Sequence, residues 1–390
     1  MSATEIKHDV VVVGGGIPGA TLALALRRAG LDAALVESGA GPAAYDARDY
    51  DLRVYAISAA SAALLESVGA WQGIAETRIS PYQCMRVWDR EPSHALVFDA
   101  AASGVERLGY IIENSLILDV LWRTLGEEAV YRQARITACQ LDDDAAQLEL
   151  ADGRVIGARL VVAADGAESQ LREWAGIDCV RWDYPQRAVV CHVTTEKPHR
   201  GTAFQRFLPE GPLAFLPLAD GRSSIVWSSR TADELLALDE SGFRERLAAA
   251  VQFELGAVLD CTRRVAYPLR LLHAREYVRP RLALIGDAAH VVHPLAGQGV
   301  NLGLADGAVL AREIIAALVE GRDPGSLRLL RRYERARMAD NLDMLAVTDG
   351  LNRAFGLRAA GWDGLRNFGI DAVNHLGPLK QLLARRAMGF

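Results

Sequence analysis

The pattern of apolar and polar positions divides the chain into three kinds of stretch. Short, uninterrupted apolar runs that stop at a glycine or an acid form the first kind: Asp9 to Val13, Asp32 to Val36, Leu160 to Ala164 and Leu282 to Ile285. Their β-branched content and their length predict buried strands. Ala20 to Ala29 and Leu302 to Leu318 are longer, with the composition of buried helices, so the first of these completes a βαβ unit with the strands on either side of it. Runs of the second kind are interrupted by Gly, Pro and charge. Arg135 to Leu141 and Gln147 to Leu150 predict a hairpin, and Arg187 to Thr195, Thr202 to Phe207, Leu213 to Leu218 and Ser223 to Ser228 predict an antiparallel sheet in a second lobe. The third kind is basic and amphipathic. Arg328 to Gly350 is helical in composition with arginines on its early turns, and Leu365, Phe368, Leu376, Leu379 and Leu383 recur at helix-like spacing beside Arg366, Lys380, Arg385 and Arg386.

Composition places this pattern in a globular chain. With 390 residues, 51% hydrophobic and 24% charged, it can bury a large core and is expected to form two lobes. Met1 to Asp9 lacks the apolar centre of a signal sequence, and no apolar stretch approaches the roughly 18 residues of a spanning helix, so the cytoplasm is the expected compartment. The net charge of −6 is uneven, because residues 320–390 carry 12 Lys+Arg against 8 Asp+Glu and leave −10 for the remainder. Such a body repels phosphates, and the arginines are mixed with acids, which argues against nucleic acid as a partner. Cys84, Cys139, Cys179, Cys191 and Cys261 are far apart and make no CxxC or Cys/His cluster, so neither a disulfide framework nor a metal site is expected.

The candidate chemistry lies where the buried runs end. After the first comes Gly14-Gly15-Gly16-Ile17-Pro18-Gly19. Gly14 permits a tight turn, Gly16 lets backbone N–H groups approach a pyrophosphate at a helix N-terminus, and Gly19 lets helix and sheet pack closely. Glu37, 18 residues beyond Gly19 at the end of the next strand, can accept hydrogen bonds from a ribose. A second acid-ended strand gives Asp165-Gly166, which serves either a cofactor or simply a strand-to-helix turn. The third gives Gly286-Asp287, whose carboxylate can hold ribityl hydroxyls. Gly297-Gln298-Gly299-Val300-Asn301 then precedes the long apolar helix, where backbone N–H groups can stabilise negative charge on a reduced isoalloxazine. One glycine turn alone marks only a nucleotide fold; three such segments in this order predict a flavin-binding oxidoreductase.

On these residues the chain resembles the FAD-dependent aromatic-ring hydroxylases, class A flavoprotein monooxygenases with the p-hydroxybenzoate hydroxylase fold, and in particular their ubiquinone-biosynthesis branch. The likeness is carried by His8-Asp9-Val10 through Gly19, Asp51-x-Arg53 before Ser58, Ala164-Asp165-Gly166 with Ser169 and Arg172, Gly286 through His290, and His293-Pro294 through Gly303. Trp182-Asp183-Tyr184, Phe215 to Leu218, Tyr333-Glu334-Arg335 and Asp340-Asn341 resemble the quinone branch. The resemblance implies an α/β fold with a Rossmann-like FAD-binding domain in three parts (1–75, 101–180, 268–350), an inserted antiparallel-sheet substrate domain in two (76–100, 181–267) and a helical C-terminal region (351–390). It implies Arg53 at the FAD phosphates, Asp165-Gly166 at both the cofactor and the reductant's route, and Asp287 at the ribityl chain or pyrophosphate.

The implied reaction is aromatic hydroxylation. NADPH or NADH reduces FAD as a transient visitor, O2 and reduced flavin give a C4a-hydroperoxide, and oxygen passes to a hydrophobic phenolic ring, polyprenylated if the quinone branch holds. The alternatives are a hydroxylase of a small soluble aromatic and a catalytically silent flavin-fold assembly subunit. His290, His293 and Pro294 are the protein-side catalytic candidates, with direct proton transfer by either histidine standing against a supporting hydrogen bond. Phe207, Phe215, Trp227 and Tyr267 either line a substrate cavity or fill the core. The basic C-terminal segment rests on the inner face of a membrane, on other quinone-biosynthesis proteins or on the protein's own body.

Overall fold

The computed structural model describes residues 8–293 and 297–356. Its first sheet is built around His8–Val13, which pairs in parallel with Ala33–Val36 on one side and with Val155–Ala163 on the other. Leu282–Leu284 and Val130–Tyr131 extend the parallel order outward in the two directions. Val10 to Val12 and Leu160 to Ala163 are fully buried. Parallel strands covered on both faces have no solvent side to mark with polar residues, which is why their runs show no alternation. Ile136–Leu141 and Ala146–Leu150 form the hairpin, which continues onto the antiparallel end of Val155–Ala163.

The second sheet has nine described strands. Its order is His290–Val291, Val265–Ala274, Cys179–Thr195, Ser223–Ser229, Gly211–Pro217, Thr202–Leu208, Cys84–Trp88 and Leu96–Asp99, with Val258–Cys261 added beside Cys179–Thr195. Neighbours run antiparallel except at one joint, where Thr202–Leu208 pairs in parallel with Cys84–Trp88. One face of this sheet packs Phe215, Ile225 and Trp227 against Phe243 and Leu247 of the helix Glu240–Ala250. A small third sheet, Val54–Ser58, Gly109–Glu113 and Ser80–Tyr82, completes the β structure.

Three departures from the sequence pattern have physical causes. The first helix begins at Ile17, because Gly16 takes the extended N-cap conformation and Pro18 is tolerated in the first turn. The helix expected from Leu302 starts at Gly299, so Gly299, Val300 and Asn301 form its first turn; glycine's poor intrinsic propensity is overridden by packing. Cys179–Thr195 is longer than the predicted strand, since Cys179 to Asp183 pairs with Val265–Ala274 despite Pro185, the register shifting between Asp183 and Arg187.

Leu327–Gly356 forms a 30-residue helix. It is bolted to the cofactor side of the fold: Tyr333 Oη donates to the Leu284 carbonyl (2.6 Å), and Glu334 accepts from the Tyr277 N–H (2.8 Å). Arg328, Arg331, Arg332 and Arg335 are exposed along its early turns. The amphipathic stretch from Leu365 to Arg386 lies outside the described residues, as does Pro294. No described helix is long and apolar enough to cross a membrane.

Candidate active site

The glycine turn is shaped by its own backbone. Gly14 has φ +107°, and a Cβ there would lie 2.3 Å from the Ala164 carbonyl oxygen of the neighbouring strand. A Cβ on Gly19 would lie 2.1 Å from the Gly14 oxygen, whereas one on Gly16 meets nothing within 4 Å. Gly16 is thus an open cradle at the start of the helix Ile17–Arg28, whose N-cap has no side-chain partner. Glu37 stands beside the turn, its Oε2 accepting the Gly15 N–H and its Oε1 the Gly39 N–H, both at 2.8 Å. Two backbone donors fix its orientation; Ser38 Oγ also donates to Oε1 (3.3 Å), which leaves Oε2 a lone pair for a further donor.

The second and third strand ends are tied together by an arginine. Arg172, almost wholly buried and with Ser169 capping its short helix, donates to the carbonyls of Ala167 and Ala288, each at 2.8 Å. Asp165 beside it carries a buried Oδ1 without a partner, and burial pushes its pKa up. Asp287 faces the cavity; surrounding protein raises its pKa, while His290, Arg53 and Arg270 pull the other way. Arg53 is held at the rim by its strand: Asp51 accepts the Arg53 N–H (2.9 Å) and is itself positioned by Glu113, which is paired with Arg78.

Both strand ends, the glycine turn and the second sheet meet at one cavity of about 480 Å³. Gly16, Arg53, Gly166, Asp287, Gly297, Gly299 and Val300 are on its wall; Gly14, Gly19, Glu37, Asp165, Gln298 and Asn301 are not. The helix Gly299–Val319 therefore aims the unbonded N–H groups of its first turn at the cavity. The Asn301 side chain has a structural task of its own, separate from its backbone N–H. Its side-chain amide is spent on the Ala56 carbonyl (2.8 Å) and the Ser58 N–H (3.0 Å), strapping the helix to Val54–Ser58.

Neither described histidine candidate is poised for proton transfer. His290 Nε2 lies 2.5 Å from Asp306 Oδ2, pointed away from the cavity into a buried network. Asp306 also accepts from Gly286 N–H (3.1 Å), Arg337 Nε (2.8 Å) and Asn341 Nδ2 (3.1 Å), and this company holds its carboxyl below the usual range despite burial. His293 is fully buried edge-on to Tyr184, neither ring nitrogen has a partner among the described residues, and desolvation lowers its pKa to about 4. Phe215 and Trp227 fill the core on the sheet's far face, Phe207 is buried outside the cavity wall, and Tyr267 is 40% exposed near Arg53. The near-face wall is instead Met85, Ala203, Gln205, Ala214, Leu216 and Val226. Sequence reasoning missed Asp306 and Gln205; the signal for Asp306 was a lone acid in the first turns of an apolar helix.

The donor set suits FAD. Open cradles at Gly16 and Gly166 suit a pyrophosphate, the orphaned buried acceptor at Asp165 and the acid at Asp287 suit hydroxyls, and the helix N-terminus at Gly299 suits an electron-rich ring. Fold and site together define a dinucleotide-binding flavoprotein with a second, sheet-walled compartment. The FAD binding domain family matches residues 7–346. The chain is 43% identical to the ubiquinone hydroxylase UbiL of Rhodospirillum rubrum, over 98% of this chain and 89% of that one. It is 38% identical to the 3-demethoxyubiquinol 3-hydroxylase of Escherichia coli, over 99% and 100%. The structure of p-nitrophenol 4-monooxygenase PnpA from Pseudomonas putida superposes with a TM-score of 0.77 at 21% identity, covering 99% of both chains, a likeness of fold. The chain belongs to the FAD-dependent monooxygenases that carry this FAD binding domain, in the group that includes these ubiquinone hydroxylases.

Proposed function

We propose that this protein hydroxylates the aromatic ring of a polyprenylated phenol in ubiquinone biosynthesis, with NADPH or NADH and O2 as co-substrates. The observation that carries the proposal is a cavity that runs from the glycine turn to an apolar sheet face. Bound FAD supplies the oxygen-transfer chemistry. The chain's own residues do the rest: Gly16 and the N-terminus of Ile17–Arg28 receive the pyrophosphate, Glu37 a ribose, Arg53 a phosphate and Asp287 the ribityl chain. Asp165-Gly166 serves the cofactor and the reductant's approach. The first turn of Gly299–Val319 supports negative charge on the reduced ring, and the near-face wall positions the aromatic substrate and excludes water.

On this account residues 76–100 and 181–267 form the substrate domain, and 1–75, 101–180 and 268–350 the cofactor domain. The segment 351–390 would hold the enzyme at the inner face of a membrane or against other quinone-biosynthesis proteins, where an insoluble substrate resides. Mass spectrometry of quinone-pathway lipids, with and without the gene under aerobic growth, tests the proposal. A prenylated intermediate lighter by one ring oxygen should accumulate as the end quinone falls. An unchanged lipid profile would move the assignment to a small soluble aromatic.

A further inference from the structure

One cross-strand row of the large sheet runs through the cavity wall. By register it reads Val87, Gln205, Ala214, Val226, Val190 and Val265. Five members are small or β-branched and apolar, as a buried sheet face prefers. Gln205 is only 6% exposed, yet its amide has no hydrogen-bond partner among the described residues and it opens on the cavity. Its neighbour Arg206 lies on the opposite face with its guanidinium committed to the carbonyls of Asp89 and Ala250, so it brings no charge to the cavity. The amide is open to the cavity and free to pair there, so a ring that displaces water from it must replace the hydrogen bonds it removes.

We infer that Gln205 selects the substrate ring: its amide hydrogen-bonds an oxygen substituent on a neutral, oxygenated phenol, in a wall that rejects a ring bearing a carboxylate. The inference rests on the hydroxylase function proposed above. A carboxamide offers both an N–H donor and a carbonyl acceptor, which matches a ring carrying an ether or hydroxyl beside its phenol. A carboxylate there would need a cation. Among the described residues Arg53 is the one cationic side chain on the cavity wall, and it stands at the cofactor end with Asp287. Tyr82, also on the wall, is pushed up to about 12 by burial and stays a neutral hydroxyl. The other anion-stabilising group on the wall, the N-terminus of Gly299–Val319, is assigned to the flavin, so an anionic ring at Gln205 would be desolvated with little compensation.

The test uses the full-length FAD-loaded enzyme and two probes with the same short prenyl chain, an ortho-methoxyphenol and a para-hydroxybenzoate. Each is titrated against the absorbance of the oxidised flavin, so no turnover is involved. Wild type should bind the neutral ring more tightly by at least about tenfold, and Gln205→Met should weaken that binding by about tenfold with FAD affinity unchanged. Gln205→Arg should narrow or invert the preference. Unchanged neutral-ring affinity in Gln205→Met, or equal binding of both rings by wild type, overturns the role of Gln205 and leaves the hydroxylase function standing. If neither ring perturbs the wild-type flavin, the cavity is not a ring site and both fall.

Discussion

Gly16 and Gly19 share one turn and are glycine for opposite reasons. Gly19 has no room for a methyl group, because the Gly14 carbonyl would stand 2.1 Å from it. Gly16 has all the room it needs within the protein, and its extended φ of −67° suits any residue. What a side chain there would displace is the ligand. Gly19→Ala should lower the unfolding free energy of the FAD-free protein by the amount typical of core overpacking, about 1–3 kcal/mol. Gly16→Ala should leave that free energy within about 0.5 kcal/mol of wild type, as a substitution outside the packed core does, while weakening FAD binding, read by flavin fluorescence. Equal loss of stability in both would remove Gly16 from the cradle. At this scale the sequence was legible wherever backbone shape demanded a residue type: Gly14, Gly19 and the acids that end strands. It was not legible where a side chain's partners lie far along the chain, as with Asn301, whose amide serves Ala56 and Ser58.

Helices and strands meet the cofactor turn through Asp306. This one carboxylate gathers Gly286 from the third strand end, His290 beyond it and Arg337 with Asn341 from the C-terminal helix. Asp306→Asn removes the buried one of the two carboxylates paired with Arg337, the other being the exposed Asp340, and breaking a buried pair in this way costs up to about 3–5 kcal/mol. Denaturant unfolding of the FAD-free variant should show that loss, and a flavin titration should show weaker binding because the Gly286-Asp287 turn is released. A drop below about 1 kcal/mol would mean that packing, not the ion cluster, joins the long helix to the fold. Periodicity revealed the elements themselves, since burial leaves a repeating trace. The joints between them left only an isolated acid in an apolar run, and the near face of the large sheet was hidden because it is walled by small aliphatic residues while the conspicuous aromatics Phe215 and Trp227 pack behind it.

For the whole molecule, buried histidines set the response to acid. Desolvation lowers His293 to about 4, and desolvation with repulsion from His290 lowers His273 to about 4. Unfolding restores both to about 6.5. The unfolded chain therefore binds protons first as the pH falls, so the stability these residues contribute is complete above about 6.5 and is lost progressively down to about 4. Asp165 and Asp287, raised by burial, act with the opposite sign, nearer the ordinary carboxylate range. Denaturant midpoints of the FAD-free protein should fall from neutral pH toward pH ~5, and His293→Leu should flatten that slope. A slope unaltered by the substitution would mean that His293 is already charged in the fold.

The parallel joint in the large sheet has a consequence for how the chain is made. Cys84–Trp88 and Leu96–Asp99 leave the ribosome as a hairpin whose sheet partner, Thr202–Leu208, begins 118 residues after Cys84. At about 5–20 residues per second the hairpin waits roughly 6–24 seconds with an open edge. During that interval Met85 and Val87 have no neighbour to complete the sheet, and an unpaired edge invites strands from other nascent chains. The open edge is thus an aggregation hazard during synthesis, and yield should rise with chaperones that shelter the hairpin until the second half arrives.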